Sequence, residues 1–440
     1  MEQRFFLIIA ANTAQMLFAD RVLKAEGINT QLVPAPPESG TVCAIAVKIS
    51  QDDVEAAKRL IAVNSVEVTH ILEDKRMKLQ GLLDEKLAQG ITEDFLRILE
   101  RIESGQELDR SDILYLLSTQ REKEINTIFS AADRIRKETV GDAVEIRGAI
   151  EFSNYCRKDC SYCGIGSSNK CVKRYSMSEE EIMEAVHSVK AMGMKTVILQ
   201  SGEDSRWDTP RLVRLVERIR NETGMKITLS VGEKSREEYE QLRNAGAVNF
   251  LLKIETTNRD LFARLHPDDD YDHRLQCSLW LKELGYLNGS GNIIGLPGQT
   301  LDDIAGDILY FKEMGINMIG IGPFIPAEGS RLENHPTGDI DLTLRVVAVT
   351  RIVCKRVYIP STTALASLDK DAQVKALQAG ANTIMLINTP ERYRKSYNIY
   401  NNKNMVDMAS AAYAAEKAGR PLPSYIVWQA VNPGHECIVG

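Results

Sequence analysis

Asn154-Tyr155-Cys156-Arg157-Lys158-Asp159-Cys160-Ser161-Tyr162-Cys163-Gly164-Ile165-Gly166 places three cysteines within eight residues, spaced C-x3-C-x2-C. The apolar run before it, 144–152, reads as a strand, so the cysteines fall on the loop that leaves its C-terminal end. Iron–sulfur clusters are ordinarily held by four thiolates. A loop with three can hold three irons of a cubane and leave the fourth open to a ligand that reacts. A structural zinc site is a closed tetrahedron whose cysteines come in C-x2-C pairs, and no second pair follows here. Disulfides fit poorly, because eight cysteines are spread over 440 residues without a secretory pattern.

From this loop onward strand and helix alternate. Strands are expected at 144–152, 196–201, 226–231, 248–255, 289–294, 318–324, 357–361 and 383–387, with helices between them such as 178–192 and 301–314, the latter N-capped by Thr300. Eight strands with seven helical segments predict an α/β fold, a (β/α)8 TIM-type barrel over 141–405. Polar residues then recur where such barrels carry their chemistry, at the C-terminal strand ends: the cysteine loop, Gln200-Ser201-Gly202-Glu203, Ser230, Glu255-Thr256 and Thr362-Thr363.

Upstream, 1–75 reads as a small α+β domain. Strands at 5–12, 28–33, 44–49 and 66–71 interleave with helices at 13–25 and 52–63, the second capped by Asp52, in a ferredoxin-like order. Residues 76–140 form a linker and a helical lead-in. Leu79, Leu82, Leu83 and Leu87 share a helical face, Asp109 opens a further helix, and 125–136 reads as another. Residues 406–440 are a C-terminal tail.

Composition sets bounds. The chain is 44% hydrophobic and 26% charged with a net charge of −7, so no nucleic-acid surface is expected and Lys170–Lys173 reads as solvated. Apolar runs are too short to cross a bilayer, and the start lacks a signal-peptide pattern. No membrane partner and a cytoplasmic location are the expectation.

The aromatic before the third cysteine completes a motif that resembles the radical S-adenosylmethionine (SAM) superfamily. Asp159–Gly164, Leu199–Asp204, Gly295-Leu296-Pro297-Gly298-Gln299-Thr300, Gly320–Pro326, Ser361–Leu365 and Gly380-Ala381-Asn382 resemble the family of the FeFe-hydrogenase maturase HydE, in a clade with methylornithine synthase. The resemblance implies a [4Fe-4S] cluster on Cys156, Cys160 and Cys163 and reductive cleavage of SAM to a 5'-deoxyadenosyl radical, with ferredoxin or flavodoxin as electron donor. It assigns to SAM Ser201, Gly202, Glu203, Glu255, Lys253, Arg274 and Met318, the last beside the adenine or sulfonium, with Tyr397 and Tyr400 closing the top. Arg147, Gln200, Thr228, Thr362 and Thr363 would line the bottom of the cavity and bind an anionic substrate. It implies a role in H-cluster maturation alongside other hydrogenase maturases.

Two departures keep alternatives open. Lys253-Ile254-Glu255-Thr256 stands where the family commonly has Arg-His-Glu-Thr, and Lys does not replace Arg where a bidentate contact is needed. The tail holds only Cys437, so one cluster is expected. The N-terminal domain resembles the Se/S-carrier-like family, in which Cys43 would hold sulfur or selenium; a lone cysteine there is otherwise structural. An enzyme acting on an amino acid or a sulfur or selenium compound, such as a methylornithine-synthase-like mutase, is thus the second reading. A non-catalytic Fe–S or sulfur-carrier scaffold is the third. Cys171, Cys277 and Cys354 read as core or surface thiols, and His266 as structural.

Overall fold

The computed structural model describes residues 4–36, 45–74 and 90–426. At the N-terminus β1 (Phe5–Ala10), β2 (Gln31–Pro34), β3 (Ile45–Ser50) and β4 (Val68–Glu73) form a sheet in the order β2-β3-β1-β4, every neighbouring pair antiparallel. Helices Thr13–Ala25 and Val54–Val63 bury Met16, Leu23, Ala57 and Ile61 against Ile8, Val47 and Ile49. This is the expected ferredoxin-like order. Asp52 is not the cap of the second helix. Ser50 accepts from the Asp52 amide and starts a 3-10 turn, and the α-helix begins only at Val54. Cys43 and Leu79–Leu87 lie outside the described residues, as does Cys437.

The lead-in folds as helices Glu93–Glu103, Arg110–Ser118 and Glu122–Val140. Asp109 and Asp112 cap the second reciprocally. The third packs along the later helix Ile340–Cys354.

Eight parallel strands follow in chain order: β5 (Glu145–Ser153), β6 (Thr196–Ser201), β7 (Lys226–Ser230), β8 (Ala247–Leu251), β9 (Leu287–Ile294), β10 (Met318–Pro323), β11 (Pro360–Ser361) and β12 (Thr383–Ile387). Strand β12 pairs with β5, and a single bridge from Met318 to Tyr358 joins β10 to the residues before β11. Two backbone hydrogen bonds of 2.8 Å, Ile319 N to Tyr358 O and Tyr358 N to Asn317 O, hold that seam. Two strands are shorter than expected. Pro360 reduces β11 to two residues, since proline cannot donate to a ladder. Strand β8 stops at Leu251, and the backbone turns so that Glu255 points inward. All of β5 is buried, as in a strand covered on both faces. A Cβ on Gly148 would meet Val189 of the outer helix at 2.6 Å, so even positions face out and Arg147 and Glu151 face the barrel interior.

The N-terminal sheet abuts the base of this barrel. Leu287, the first residue of β9, belongs to its hydrophobic core. Asn317, just before β10, donates to the Leu32 carbonyl at 2.9 Å, and Arg356 pairs with Asp74 at 3.3 Å. The cysteine loop lies at the other end.

Candidate active site

The loop after β5 is fixed by buried polar groups. Asn154 donates to the carbonyls of Lys173 (2.9 Å) and Ser396 (2.6 Å) and accepts from the Tyr175 amide. Arg174 gathers four carbonyls, those of Asn154, Ile165, Gly166 and Asn169, at 2.6 to 3.1 Å. Tyr162 hydrogen-bonds His266 Nε2 at 3.0 Å, and His266 Nδ1 faces the Phe262 carbonyl. Burial pushes the His266 pKa down to about 3, so the ring is neutral and its role is structural, as expected.

Cys156, Cys160 and Cys163 line one cavity of about 380 Å³, within the ~300–1,000 Å³ common for small-molecule sites. They do not converge on the single point a lone metal ion requires; no cluster of that kind occurs among the described residues. Three cysteines on the wall of one cavity are the donor set that a cubane with one open iron would take. Burial pushes all three thiols up, Cys163 to about 12; the neighbouring thiols add to this at Cys160 and Cys163, and the Glu203 carboxylate at Cys156. They are neutral until a metal displaces their protons. A Cβ on Gly202 would collide with the Tyr155 carbonyl and lie 2.7 Å from Cys156 Cβ. Only glycine allows the β6 turn to lie this close to the cysteine loop.

Two acids line the same cavity. Glu203 accepts from Arg157 Nε and from the Glu233 amide, both at 3.0 Å. Glu255 adopts φ +62°, a left-handed conformation that costs a non-glycine residue about 1–3 kcal/mol. Hydrogen bonds from its amide to Gly291 O and from Ile293 N to its carbonyl hold it there. The carboxylate is thereby aimed into the cavity. Lys253 Nζ lies 2.8 Å from Glu255 Oε2, yet that oxygen accepts no well-aligned hydrogen bond although buried. Thr362 Oγ1 is likewise buried without a partner, and both residues line the cavity. Buried polar atoms are ordinarily satisfied, so these two are where a bound molecule is wanted.

Arg274 also lines the cavity, but it is held by other groups. Its Nε donates to Glu233 (2.5 Å), one terminal nitrogen to Asp269 (2.5 Å) and the other to the Lys253 carbonyl (2.8 Å). A guanidinium has five N–H groups, so two remain for a ligand carboxylate. Lys158 of the cysteine loop pairs with both Asp269 (2.9 Å) and Glu233 (3.3 Å).

Gln200, Ser201, Thr363, Tyr397 and Tyr400 line the same cavity. Arg147, Thr228 and Met318 do not. Arg147 pairs with Glu145 at 2.9 Å, stacks on Tyr358 and touches Met318 Sδ at 3.0 Å. Thr228 accepts from Asn249. Met318 opens β10, so it stands on the barrel floor at the far end from the cysteines rather than beside an adenine or sulfonium. Its Arg147 contact makes it a floor residue.

Sequence reading missed several groups. Arg174 directly follows the Lys170–Lys173 stretch that reads as solvated, and nothing local sets it apart. Glu233, Asp269 and Lys158 are distant in sequence and meet only around Arg274. Glu151 and Lys403 form a buried ion pair; a glutamate inside an apolar strand was the available signal. The other cysteines behave as expected: Cys277 is buried and Cys171 exposed.

A parallel eight-stranded barrel with three cysteines on the loop after its first strand is the architecture of a radical SAM enzyme. Residues 150–311 match the Radical SAM superfamily, and residues 5–73 match the Se/S carrier protein-like family. The chain is 44% identical over 306 residues to the [FeFe] hydrogenase maturase subunit HydE of Thermotoga maritima, covering 70% of this chain and 87% of that one. It is 30% identical to the 3-methylornithine synthase of Methanosarcina acetivorans, over 67% and 84% of the two chains. The crystal structure of methylornithine synthase (PylB) superposes with a TM-score of 0.67 at 25% identity, covering 76% of this chain and all of that one. The chain belongs to the HydE-like family of radical SAM enzymes, whose members use a [4Fe-4S] cluster and SAM. No helix among the described residues is long and apolar enough to cross a membrane.

Proposed function

We propose that this enzyme acts in maturation of the FeFe-hydrogenase H-cluster, with a small organometallic or sulfur-containing substrate taken up inside the barrel. The observation that carries the reading is the meeting of three half-buried thiols with the inward-facing Glu255 carboxylate and the unpartnered Thr362 hydroxyl in one cavity, in a chain 44% identical to a HydE. Cys156, Cys160 and Cys163 hold the cluster, which when bound supplies the electron that splits SAM. Glu203 and the Gly202 turn receive the methionyl group. Glu255 accepts from a ribose hydroxyl. Arg274 offers its two remaining N–H groups to the methionyl carboxylate, with Glu233 and Asp269 fixing its plane. Tyr397 and Tyr400 exclude water at the top. Gln200, Thr362 and Thr363 contact the substrate, and Arg147 and Thr228 give the floor its polarity.

A functional division at about residues 75, 140 and 405 goes with this reading: carrier-like unit, lead-in, barrel and tail. A reducing cytoplasm and donation from ferredoxin or flavodoxin go with an oxygen-sensitive cluster, and other maturases are the expected partners. The test is anaerobic reconstitution with iron and sulfide, then SAM and dithionite, with 5'-deoxyadenosine counted by chromatography. Cys160→Ala is expected to lose cluster loading and cleavage together. Wild-type cleavage by that variant would remove the cluster assignment.

Lys253 supports a second reading. A lysine in the cavity, where the family commonly presents arginine, changes the shape and directionality of the charge offered to a ligand. Together with the carrier-like unit it suits an amino acid or a sulfur or selenium compound as substrate. Restoration of hydrogenase activity in a host lacking its own maturase supports the first reading; failure there, with 5'-deoxyadenosine still produced, supports the second.

A further inference from the structure

The chain carries a net charge of −7, but the surface outside the cysteine loop has the opposite sign. Arg157 and Arg206 are 63% and 44% exposed along their side chains. Arg206 lies flat on the ring of Tyr155, 3.3 Å from its centroid, and Tyr155 is an exposed aromatic next in chain to Cys156. Asn154 ties the backbones of Lys173 and Ser396 to the same loop, so the chain segments that carry Lys170, Lys173 and Lys395 border it. All three lysines are exposed, and none forms an ion pair among the described residues. The neighbouring acids are withdrawn: the Asp204, Glu203 and Asp159 side chains are 2%, 9% and 17% exposed. Three acids remain exposed at the edges of the face: Glu391 beside Arg392, Asp208 two residues from Arg206, and Asp268, which accepts from the Asp159 amide at 2.9 Å. Cations face solvent here while the anions that pair with them are buried beneath.

An exposed tyrosine stacked with an arginine is also the composition of an interface centre, where aromatics and arginine are enriched. We propose that this face, Tyr155 with Arg157, Arg206, Lys173 and Lys395 and with Lys170 at its edge, docks an acidic one-electron carrier protein against the cysteine loop. The proposal rests on the radical SAM reading of that loop. In the encounter one electron leaves the carrier and reduces the cluster by one electron; no bond forms or breaks and no proton moves. Charge complementarity selects an acidic partner, and it acts mainly on the rate of encounter. An overall acidic chain would otherwise repel an acidic carrier, so a local basic field is what makes the approach productive.

The test compares two reductants on the reconstituted full-length enzyme: dithionite, which needs no docking, and reduced flavodoxin as the acidic carrier. Lys173→Glu/Lys395→Glu is expected to keep the dithionite-driven rate of 5'-deoxyadenosine formation and to lower the flavodoxin-driven rate about tenfold or more at low ionic strength. The two enzymes are expected to converge at about 1 M salt, where the screening length falls to ~3 Å. A wild-type flavodoxin-driven rate in the reversed variant at low salt would overturn the proposal. If the reversal also lowers the dithionite-driven rate, Lys173→Gln/Lys395→Gln decides by the same comparison, with a smaller selective loss expected. No 5'-deoxyadenosine from the wild type with either reductant would overturn the radical reading of the loop and this face with it.

Discussion

Lys403→Met is the substitution whose effect follows most directly from the structure. Lys403 Nζ pairs with Glu151 of β5 and also donates to the Tyr397 carbonyl at 3.3 Å. Both side chains are 2% exposed, so water compensates neither charge, and the ~0–1 kcal/mol typical of surface pairs does not apply. Removing one partner of a buried pair costs about 3–5 kcal/mol, because it leaves an uncompensated charge. Methionine keeps the length and the apolar stem, so lost packing adds little. Burial already pushes Glu151 up, and the Lys403 ammonium pulls against that. Without it, Glu151 takes a proton. A carboxyl with a raised folded pKa contributes its stability below its unfolded pKa and loses it as pH rises through the folded value. The variant is therefore expected to weaken further as pH rises above about 4.5, where Glu151 ionises in the unfolded chain. Urea unfolding at several pH values measures this. A loss of about 3–5 kcal/mol shifts the folding constant by roughly two to three and a half decades. Glu151→Gln/Lys403→Met should recover most of it, since no lone charge remains. The functional companion is a raised SAM KM with cluster content unchanged, because the 397–403 segment carrying Tyr397 and Tyr400 loosens. A Lys403→Met enzyme within about 0.5 kcal/mol of wild type, the range of ordinary surface changes, would refute the reasoning.

Arg174→Ala should leave four loop carbonyls without their shared donor and lose iron on anaerobic dialysis. Arg174→Lys should rescue little, because one ammonium cannot reproduce the fork; iron retention and the EPR signal of the reduced cluster report both. Burial pushes Asp307 up to about 7, against three donors from Asn292 and Thr257 that support the turn leading out of Glu255. Its folded pKa is raised, so the stability it contributes is full below about 4 and lost as pH rises through 7. Asp307→Asn should flatten the pH dependence of the unfolding midpoint across that window, and an unchanged slope would count against the assignment. Cys43→Ala should leave dithionite-driven SAM cleavage intact, because the carrier-like sheet meets the barrel at its base. Loss of 5'-deoxyadenosine in that variant would mean that the two units work together.

What the sequence by itself determined is whatever depends on neighbours in the chain. The C-x3-C-x2-C spacing, the strand before it and the Thr300 cap are local, and period-2 and period-3.6 patterns mark each barrel element within a few residues. The place of Gly202 and Glu203 at the C-terminal end of a barrel strand was legible for the same reason. Tertiary structure decided what depends on residues far apart. The partners of Arg274 come from positions 233, 253 and 269, and Glu151 meets Lys403 across 252 residues. Met318 shows the limit from the other side. Its place as the first residue of a strand was already legible, yet the family resemblance set it beside SAM; the structure puts it on the floor, against Arg147. Glu255 was expected as the end of a strand. Its left-handed turn exists only because Gly291 and Ile293 of the next strand hold its backbone there, a contact that chain order cannot encode.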